Sequence, residues 1–317
     1  MNTNTILITG AAGNLGGLLA EHLQDRNLHL FTHKKQVMKS LQNRENIHIF
    51  KGDLAKKETI YPAMKGVDTI VHFAGVLFMA NPEKFLHTTN TLYFDNLLDV
   101  AIEEKVKRII LISFPHVEGE TTPEKPATGR LEDVNPISVH AQTRLQEEKD
   151  MFRKCAEAGI EAVSLRVGMV YGKGILMIDA AEWFSRRWLL GVWTKPTYTH
   201  LISKADFLAA TTAAIDKPNI NGIYHIGDEG VQTLQELLDA VAEYKGYKKP
   251  WRMPTWMIMT AAQGFEIVSA IFGVKSPLTK DFVRIGQLSY YGDTGRMRKE
   301  LLPELKYKTY KDGMETF

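Results

Sequence analysis

Short apolar runs alternate along the chain with segments of helical periodicity. The runs are rich in β-branched residues and almost continuously apolar, which is typical of strands buried on both faces of a parallel sheet. Between them lie amphipathic segments, for example residues 15–26 and 91–106. This alternation predicts an α/β fold with a doubly wound parallel sheet and right-handed crossovers. The predicted strands are residues 5–10, 28–33, 47–52, 68–75, 108–114, 162–168 and 222–228.

The pattern changes after Arg166, where irregular stretches rich in aromatic residues, Met and Pro begin. We predict that residues 1–168 form the core, which a strand and a helix near 222–246 complete. Residues 169–221 and 247–317 are predicted to form a smaller substrate-binding lobe. This lobe would cover the C-terminal edge of the sheet, where ligands of such folds bind.

Composition and charge argue against a secreted or membrane-embedded protein. The most apolar run, Trp256 to Gly273, is interrupted by Gln263 and Glu266, so we expect a buried helix rather than a membrane span. A net charge of +2 is too small to indicate a nucleic-acid or membrane partner. The only cysteine, Cys155, excludes an internal disulfide and is expected to pack on a helix. Since the N-terminal segment also lacks the features of a signal peptide, we expect a cytoplasmic protein.

A glycine-rich turn, TGAAGNLGG, follows the first predicted strand and opens a predicted helix. Gly10, Gly13 and Gly16 recur every three residues, as a tight turn, a close approach to a pyrophosphate and close helix packing require. The N-terminus of the helix would offer free N–H groups to the phosphates. The turn therefore predicts dinucleotide binding, and a purely structural glycine turn is the alternative.

The end of the second strand usually decides between NAD and NADP. His33, Lys34 and Lys35 lie there without a nearby carboxylate. Cations suit the 2′-phosphate of NADP, whereas an acidic side chain would bind the ribose 2′-OH of NAD. We therefore predict NADP, with NAD as the second choice; the alternative is that the lysine pair is merely a solvated surface.

Several further segments, in the same order along the chain, resemble the extended short-chain dehydrogenase/reductase superfamily, in its NAD-dependent epimerase/dehydratase-like group. They are GDL at 52–54, VHFAG at 71–75, NTLYFDNLLDVA from Asn90, LRVGMVYGKG at 165–174, LISKADFLAA at 201–210 and the segment from Asp293 to the C-terminus. The resemblance covers nearly the whole chain. It implies that Asp53 and Leu54 contact adenine and that Ala74 and Gly75 line the ribose. The full set of predicted cofactor-binding residues is Gly10, Ala12, Gly13, Asn14, Leu15, Gly16, His33, Lys34, Lys35, Asp53, Leu54, Phe73, Ala74, Gly75, Asn90 and Arg144.

The chain departs from this superfamily at the positions that carry its chemistry. The family's catalytic serine aligns with Phe114, with Ser113 one residue early, where strand alternation would point it elsewhere. The tyrosine and lysine of the YxxxK motif align with His140 and Arg144. The sequence therefore leaves open whether the catalytic function is retained.

His140 and Arg144 are the candidate catalytic pair. A histidine donates a proton near neutral pH, because its ordinary pKa is about 6.5. The spacing of four places both residues on one helix face, where Arg144 could bind ribose hydroxyls and would lower the pKa of His140. The alternative is an inherited cofactor-site position whose residue now only binds or fills space.

The loop at 115–129 supplies two weaker acid/base candidates, His116 and Glu118. The alternative is a lid with solvent-facing polar residues. Arg166 could meet an anionic substrate or hold a neighbouring loop, and Tyr171 is expected to be structural.

Two functions remain open at this stage. The first is an NAD(P)-dependent oxidoreductase that acts on a small carbonyl or alcohol, or on a nucleotide-sugar-like substrate, and uses no metal. The second is a non-catalytic dinucleotide-binding sensor or scaffold, which the loss of Ser, Tyr and Lys together favours. Members of the resembled family often form homodimers through the helices near 91–106 and 140–155, so the resemblance allows a homodimer, but the sequence of these segments does not itself indicate the oligomeric state.

Overall fold

Seven parallel strands form the central sheet of the computed structural model, which describes residues 4–75, 81–272 and 278–317. Four shorter strands pair outside the sheet. In chain order the strands are β1 (Ile6–Thr9), β2 (Leu28–Thr32), β3 (Ile47–Lys51), β4 (Thr69–His72), β5 (Arg108–Ser113), β6 (Glu161–Val167), β7 (Met169–Tyr171), β8 (Gly191–Trp193), β9 (Leu201–Ser203), β10 (Gly222–Ile226) and β11 (Trp251–Met253). The spatial order in the sheet is β10-β6-β5-β4-β1-β2-β3, with β7 paired to β9 and β8 to β11.

Helices cover both faces of this sheet, so the predicted doubly wound α/β fold is confirmed. They are α1 (Asn14–His22), α2 (Lys57–Met64), α3 (Tyr93–Glu103), α4 (Val139–Ala158), α5 (Leu176–Arg186), α6 (Lys204–Asp216), α7 (Leu234–Tyr244), α8 (Thr255–Phe272), α9 (Lys280–Gly286) and α10 (Gly295–Glu300). Short 3-10 helices occupy Lys39–Leu41, Pro82–Lys84, Pro115–Glu118 and Met314–Thr316, and a π-helix at His87–Leu92 leads into α3.

The strand order reverses between β1 and β4, because β2 and β3 extend the sheet in one direction and β4, β5, β6 and β10 extend it in the other. The register places Ile6 beside both Leu28 and Thr69. Ligands of open α/β sheets bind beyond the carboxyl ends of the strands at such a reversal. The residues that follow β1 and β4 therefore meet at the expected binding crevice.

Two apolar layers sandwich the sheet. One packs α1, α6 and α10 against it, for example through Leu19, Phe207 and Met297. The other packs α2, α3 and α4 against the opposite face, and it contains Cys155, which lies buried on α4 as expected.

The division between core and lobe differs from the predicted one at two helices. The strand near 222–226 joins the sheet, but α7 packs its apolar residues Leu234 and Leu237 against lobe residues such as Tyr171 and Val192. The helix that contacts β10 is instead α10. Likewise α6, within the predicted lobe, covers the sheet. Apolar periodicity shows that a helix is amphipathic but not which surface receives its apolar face.

Helix α8 corrects the expectation of a buried helix at 256–273. It packs onto β8 and α9 through Ile258 and Ala262, while Trp256, Phe265 and Ile267 on its other side are exposed. Gly273, the last residue of that run, lies outside the described residues. Within the described ranges, no helix combines the length and apolar character that crossing a bilayer requires.

Candidate functional site

The turn after β1 has the geometry that its three glycines predict. Gly10 has φ +70°, and a Cβ there would lie 3.0 Å from the backbone nitrogen of Ala74. A Cβ at Gly16 would lie 2.6 Å from the Gly10 carbonyl oxygen, so the start of α1 packs directly on the turn. Gly13 caps α1 without a side-chain hydrogen bond, and the first N–H groups of a helix have no partner within it. These residues fit the pyrophosphate of a dinucleotide.

Asn14 joins this turn to the loop that precedes α5. Its Nδ2 donates to the carbonyl oxygen of Gly174 at 2.8 Å, and its Oδ1 accepts from the N–H of Leu176 at 3.0 Å. The side chain of this predicted cofactor residue therefore serves a structural contact, which leaves its backbone N–H at the start of α1 for a phosphate.

Three exposed side chains, His33, Lys34 and Lys35, follow β2. Nε2 of His33 lies 3.6 Å from Oδ2 of Asp53, the predicted adenine contact. No carboxylate lies close to the end of β2 along the chain, but Asp53, which follows β3, is close to it in the fold.

The predicted ribose residues meet the start of α4. Nη2 of Arg144 donates to the carbonyl oxygen of Ala74 at 3.4 Å, and a Cβ at Gly75 would overlap the same Nη2. Nδ2 of Asn90 donates to Oγ1 of Thr143 at 3.1 Å. The fold thus assembles Gly75, Asn90 and Arg144 beyond the carboxyl end of β4.

Arg144 has a partner that the sequence analysis missed. Its Nη1 donates to Oε2 of Glu147 at 2.6 Å, and both side chains are buried. Burial raises the pKa of Glu147 to about 8 against the opposing effect of Arg144. The spacing of three on one helix could have revealed this pair.

His140 lies in the first turn of α4 and is 2% exposed. Among the described residues, neither ring nitrogen has a hydrogen-bond partner. Burial and, to a smaller extent, Arg144 lower the pKa of His140 to about 4. The predicted effect of Arg144 is therefore present, but desolvation is the larger cause.

Asp281 of α9 brings a carboxylate beside His140, with Oδ2 3.6 Å from Nδ1. This distance is too long for a hydrogen bond, and burial raises the pKa of Asp281 to about 6. Burial thus shifts both groups toward their neutral forms, so that His140 is neutral above about pH 4 and Asp281 is neutral below about pH 6. No local signal in the sequence links Asp281 to His140, because the contact joins the core to the lobe.

Of the candidate residues that follow β5, Phe114 lies near His140 and His116 lies near Phe114, whereas Glu118 pairs with Arg166. The ring of Phe114 lies 6.2 Å from that of His140 and 5.2 Å from that of His116. His116 is buried, its Nε2 donates to the carbonyl oxygen of Leu288 at 3.0 Å, and burial lowers its pKa to about 4. A neutral His116 beside the site is a packing residue in this arrangement.

Glu118, proposed as an acid/base group, is instead part of a buried ion-pair cluster. Nη1 of Arg166 donates to its Oε1 at 2.6 Å, and the N–H groups of Thr128 and Gly129 donate to its two oxygens. Burial opposes ionisation, but these donors and His225 hold the pKa of Glu118 at about 2. A carboxylate so stabilised is a poor base, so the acid/base prediction for Glu118 is wrong.

Arg166 and Ser113 both belong to this cluster. Arg166 is fully buried, and its Nη2 donates to Oε2 of Glu148 at 2.6 Å. Oγ of Ser113 donates to Oε1 of Glu148 at 2.5 Å, so Ser113 faces the cluster as strand alternation predicts. Arg166 is therefore structural, because its buried guanidinium is already paired with Glu118 and Glu148 and is not accessible to an anionic substrate. Tyr171 is also buried, and its hydroxyl donates to the carbonyl oxygen of Thr309.

Replacing Gly16 by Ala should weaken dinucleotide binding, because the new methyl group would press on the Gly10 carbonyl. We expect a loss of at least about tenfold, or 1.4 kcal/mol, in a fluorescence or calorimetric titration. Gly17→Ala is the matched control, since its Cβ would lie 3.3 Å from the nearest atom. Equal affinities of the two variants would contradict this account of the turn.

Replacing Glu118 by Gln should destabilise the protein at neutral pH and much less in acid. The carboxyl titrates at about pH 2 when folded and near 4.5 when unfolded, so its stabilisation is present above pH 4.5 and is lost as pH falls toward 2. Urea unfolding at pH 7 should show a loss of roughly 3 kcal/mol. Glu132→Gln, at an exposed carboxylate, should show almost none; a pH-independent deficit in Glu118→Gln would refute the electrostatic origin.

Known proteins resemble this chain in sequence and in fold. The model of the NAD dependent epimerase/dehydratase family matches residues 6–225. Sterol-4-alpha-carboxylate 3-dehydrogenase (decarboxylating) of Mus musculus is 24% identical over 284 residues, which are 86% of this chain and 76% of that protein. Uronate dehydrogenase of Pseudomonas putida is 29% identical over 184 residues, 57% of this chain and 67% of that protein.

Two solved structures share the fold. The dTDP-glucose 4,6-dehydratase of Streptomyces venezuelae, with NAD and TYD bound, superposes with a TM-score of 0.76 at 16% identity and covers 98% of this chain and 95% of its own. UDP-glucose 4-epimerase of Thermotoga maritima, with UDP-glucose, has a TM-score of 0.76 at 18% identity and covers 98% and 96%. With the family match over residues 6–225, the chain belongs to the NAD dependent epimerase/dehydratase family.

Proposed function

We propose that the protein is an NAD(P)-dependent oxidoreductase of a small carbonyl or alcohol, or of a nucleotide-sugar-like substrate. The observation that carries the proposal is the convergence of His140, Arg144, Asn90 and Gly75 beyond the carboxyl ends of β4 and β5, beside an intact phosphate turn. The bound nicotinamide would supply the hydride chemistry. Two relatives named above are dehydrogenases, which supports oxidoreduction. Epimerisation or dehydration is a weaker proposal, because in the resembled family it depends on the tyrosine that His140 replaces.

Neutral His140 would move a proton between the substrate oxygen and Asp281. Its Nε2–H would donate to the oxygen of a carbonyl while Nδ1 receives the proton of the Asp281 carboxyl, and alcohol oxidation would reverse both transfers. The 3.6 Å separation would have to shorten when ligand binds. Arg144, aligned by Glu147 and the Ala74 carbonyl, would hold ribose hydroxyls.

NADP is the proposed cofactor, with NAD as the second choice. The exposed side chains of His33, Lys34 and Lys35 after β2, two of them cationic lysines, support binding of a 2′-phosphate. The carboxylate of Asp53, 3.6 Å from His33, is the feature that favours NAD, as do the NAD-bound structures of the family.

A non-catalytic sensor or scaffold is the second candidate function. The observation in its favour is that the His140 ring is 2% exposed, and that Arg144 already has a buried partner in Glu147. In that case the fold would bind the dinucleotide and transmit its presence without turnover.

The two functions separate in a hydride-tracing experiment. The purified protein is incubated with a small-molecule extract and with NADPH or NADH that carries deuterium at C4 of the nicotinamide. We expect mass spectrometry to find one metabolite that gains one deuteron, preferentially from NADPH. Binding of both cofactors with no labelled metabolite would support the sensor.

His140→Phe should lower turnover of the identified substrate by roughly 10²-fold or more, because it removes the proton donor. Cofactor affinity should stay within about twofold, since the ring is not expected to contact phosphate or ribose. His48→Phe, at an exposed histidine of β3, is the matched control and should turn over normally. Normal turnover by His140→Phe would exclude the proposed role.

The pH dependence tests the role of Asp281. The pKa of about 6 predicts that kcat/KM for carbonyl reduction falls above pH 6, where the carboxyl loses its proton, and that kcat/KM for alcohol oxidation rises through it. Asp281→Asn should abolish this transition, whereas Asp133→Asn, at an exposed carboxylate, should retain it. A transition that persists in Asp281→Asn would assign it to another group.

A further inference from the structure

Exposed tryptophan, basic and aliphatic side chains lie on three stretches of the lobe, residues 183–188, 248–251 and 256–271. We call them together the aromatic face and define it by three sets of residues. They are the tryptophans Trp183, Trp188, Trp251 and Trp256; the cations Arg186, Arg187, Lys248 and Lys249; and the α8 residues Met257, Phe265, Ile267, Val268 and Ile271.

Two contacts join Trp188, which follows α5, to Trp251 of β11. The rings of Trp188 and Trp251 lie 4.2 Å apart, and Nε1 of Trp251 donates to the carbonyl oxygen of Trp188. Trp251 begins β11, and α8 begins directly after this strand. Trp251 at the start of β11 and Trp256 in the first turn of α8 are both exposed, so the exposed aromatic residues extend along the chain from β11 into α8.

An ordinary surface helix exposes polar and charged side chains, whereas α8 exposes large apolar ones. Trp256 is 68% exposed and Ile271 is 72% exposed, and the exposed residues of the helix include no charged one. Its single carboxylate, Glu266, turns inward to accept from the backbone N–H of Lys280 at 2.8 Å. Soluble monomers rarely expose apolar surface of this kind, so we expect this face to contact a partner rather than water.

The charges on the face decide what that partner is. The guanidinium of Arg187 lies 3.8 Å from the ring centroid of Trp183, and Nζ of Lys248 lies 4.1 Å from that of Trp188. Within the described part of the chain, none of Arg186, Arg187, Lys248 and Lys249 has a carboxylate within 4 Å, whereas Arg252 of β11 pairs with Asp239. The face is thus apolar and positively charged, with no acidic side chain of its own.

We propose that the aromatic face docks the protein on the surface of an anionic phospholipid bilayer. Tryptophan and cation-bearing side chains suit the headgroup region, and an uncharged helix face suits the acyl boundary just below it. The cations would be attracted by anionic headgroups. A second copy of the chain is a poor occupant, because a two-fold interface would bring the same unpaired cations together.

This inference does not depend on the proposed reaction. The net charge of +2, which predicts no membrane partner, averages over the whole surface and conceals the four cations on one face. The helix that carries this surface also contacts the candidate site, since Glu266 of α8 accepts from the backbone N–H of Lys280, the neighbour of Asp281.

Flotation of the full chain with vesicles, without cofactor or substrate, tests the proposal. Vesicles of phosphatidylcholine alone are compared with vesicles that contain about one third phosphatidylglycerol. We expect flotation with the anionic vesicles, weakening as salt is raised, and a blue shift of tryptophan emission on binding. Absence of flotation, or equal flotation with both kinds of vesicle, would overturn the proposal.

Variants identify the surface responsible. Ile267→Asp should lower the partition coefficient by roughly tenfold or more, while Ile49→Asp, at a comparably exposed isoleucine of edge strand β3, should bind as wild type. Lys248→Glu with Lys249→Glu should also lower it by roughly tenfold or more, while Lys65→Glu with Lys105→Glu, which changes the net charge equally elsewhere, should not.

Two controls make these comparisons decisive. The melting temperature and elution volume of each variant establish that it is folded, which the exposure of every substituted side chain favours. Light scattering measures the oligomeric state of the free protein. A wild-type dimer that Ile267→Asp converts to a monomer, without vesicle binding by either, would assign the face to a second copy and reject the bilayer.

Discussion

The buried ion-pair cluster around Arg166 holds the parts of the site in place. Arg166 of β6 joins Glu118, at the end of the 3-10 helix after β5, to Glu148, in the middle of α4. Ser113 at the end of β5 donates to the same Glu148. A buried charge is stable only when its partners are complete, so these elements must occupy fixed relative positions. Phe114 and His140 are carried by two of them, and their separation follows from the cluster.

Two kinds of buried titratable group thus lie on or next to α4. Glu148 and Glu118 are compensated by Arg166 and backbone donors, and the latter stays ionised far into acid. His140 and Asp281 lack such donors, and burial drives both toward neutrality. Paired charges fix the framework, whereas groups that can gain or lose a proton near neutral pH suit chemistry. This contrast distinguishes Asp281 from Glu118, although both are buried carboxylates close to the site.

The sheet and the phosphate turn could be predicted from the sequence because their signals are local. Buried parallel strands are continuously apolar, and the glycines that the turn after β1 requires, Gly10, Gly13 and Gly16, are close together in the sequence. Glu118 could not be assigned correctly, since its partner Arg166 lies 48 residues away. Asp281 was missed for the same reason. Helix α8 was misjudged because apolar composition does not reveal whether the receiving surface belongs to the same molecule.

The two hydrogen bonds of Asn14 have a consequence for how the cleft can open. One carboxamide ties the phosphate turn to the backbone at Gly174 and Leu176, so the core and the lobe share a fixed point at this place. Any separation that preserves both bonds has to be a rotation about Asn14 rather than a translation. The cleft would then widen most at the end farthest from this pivot.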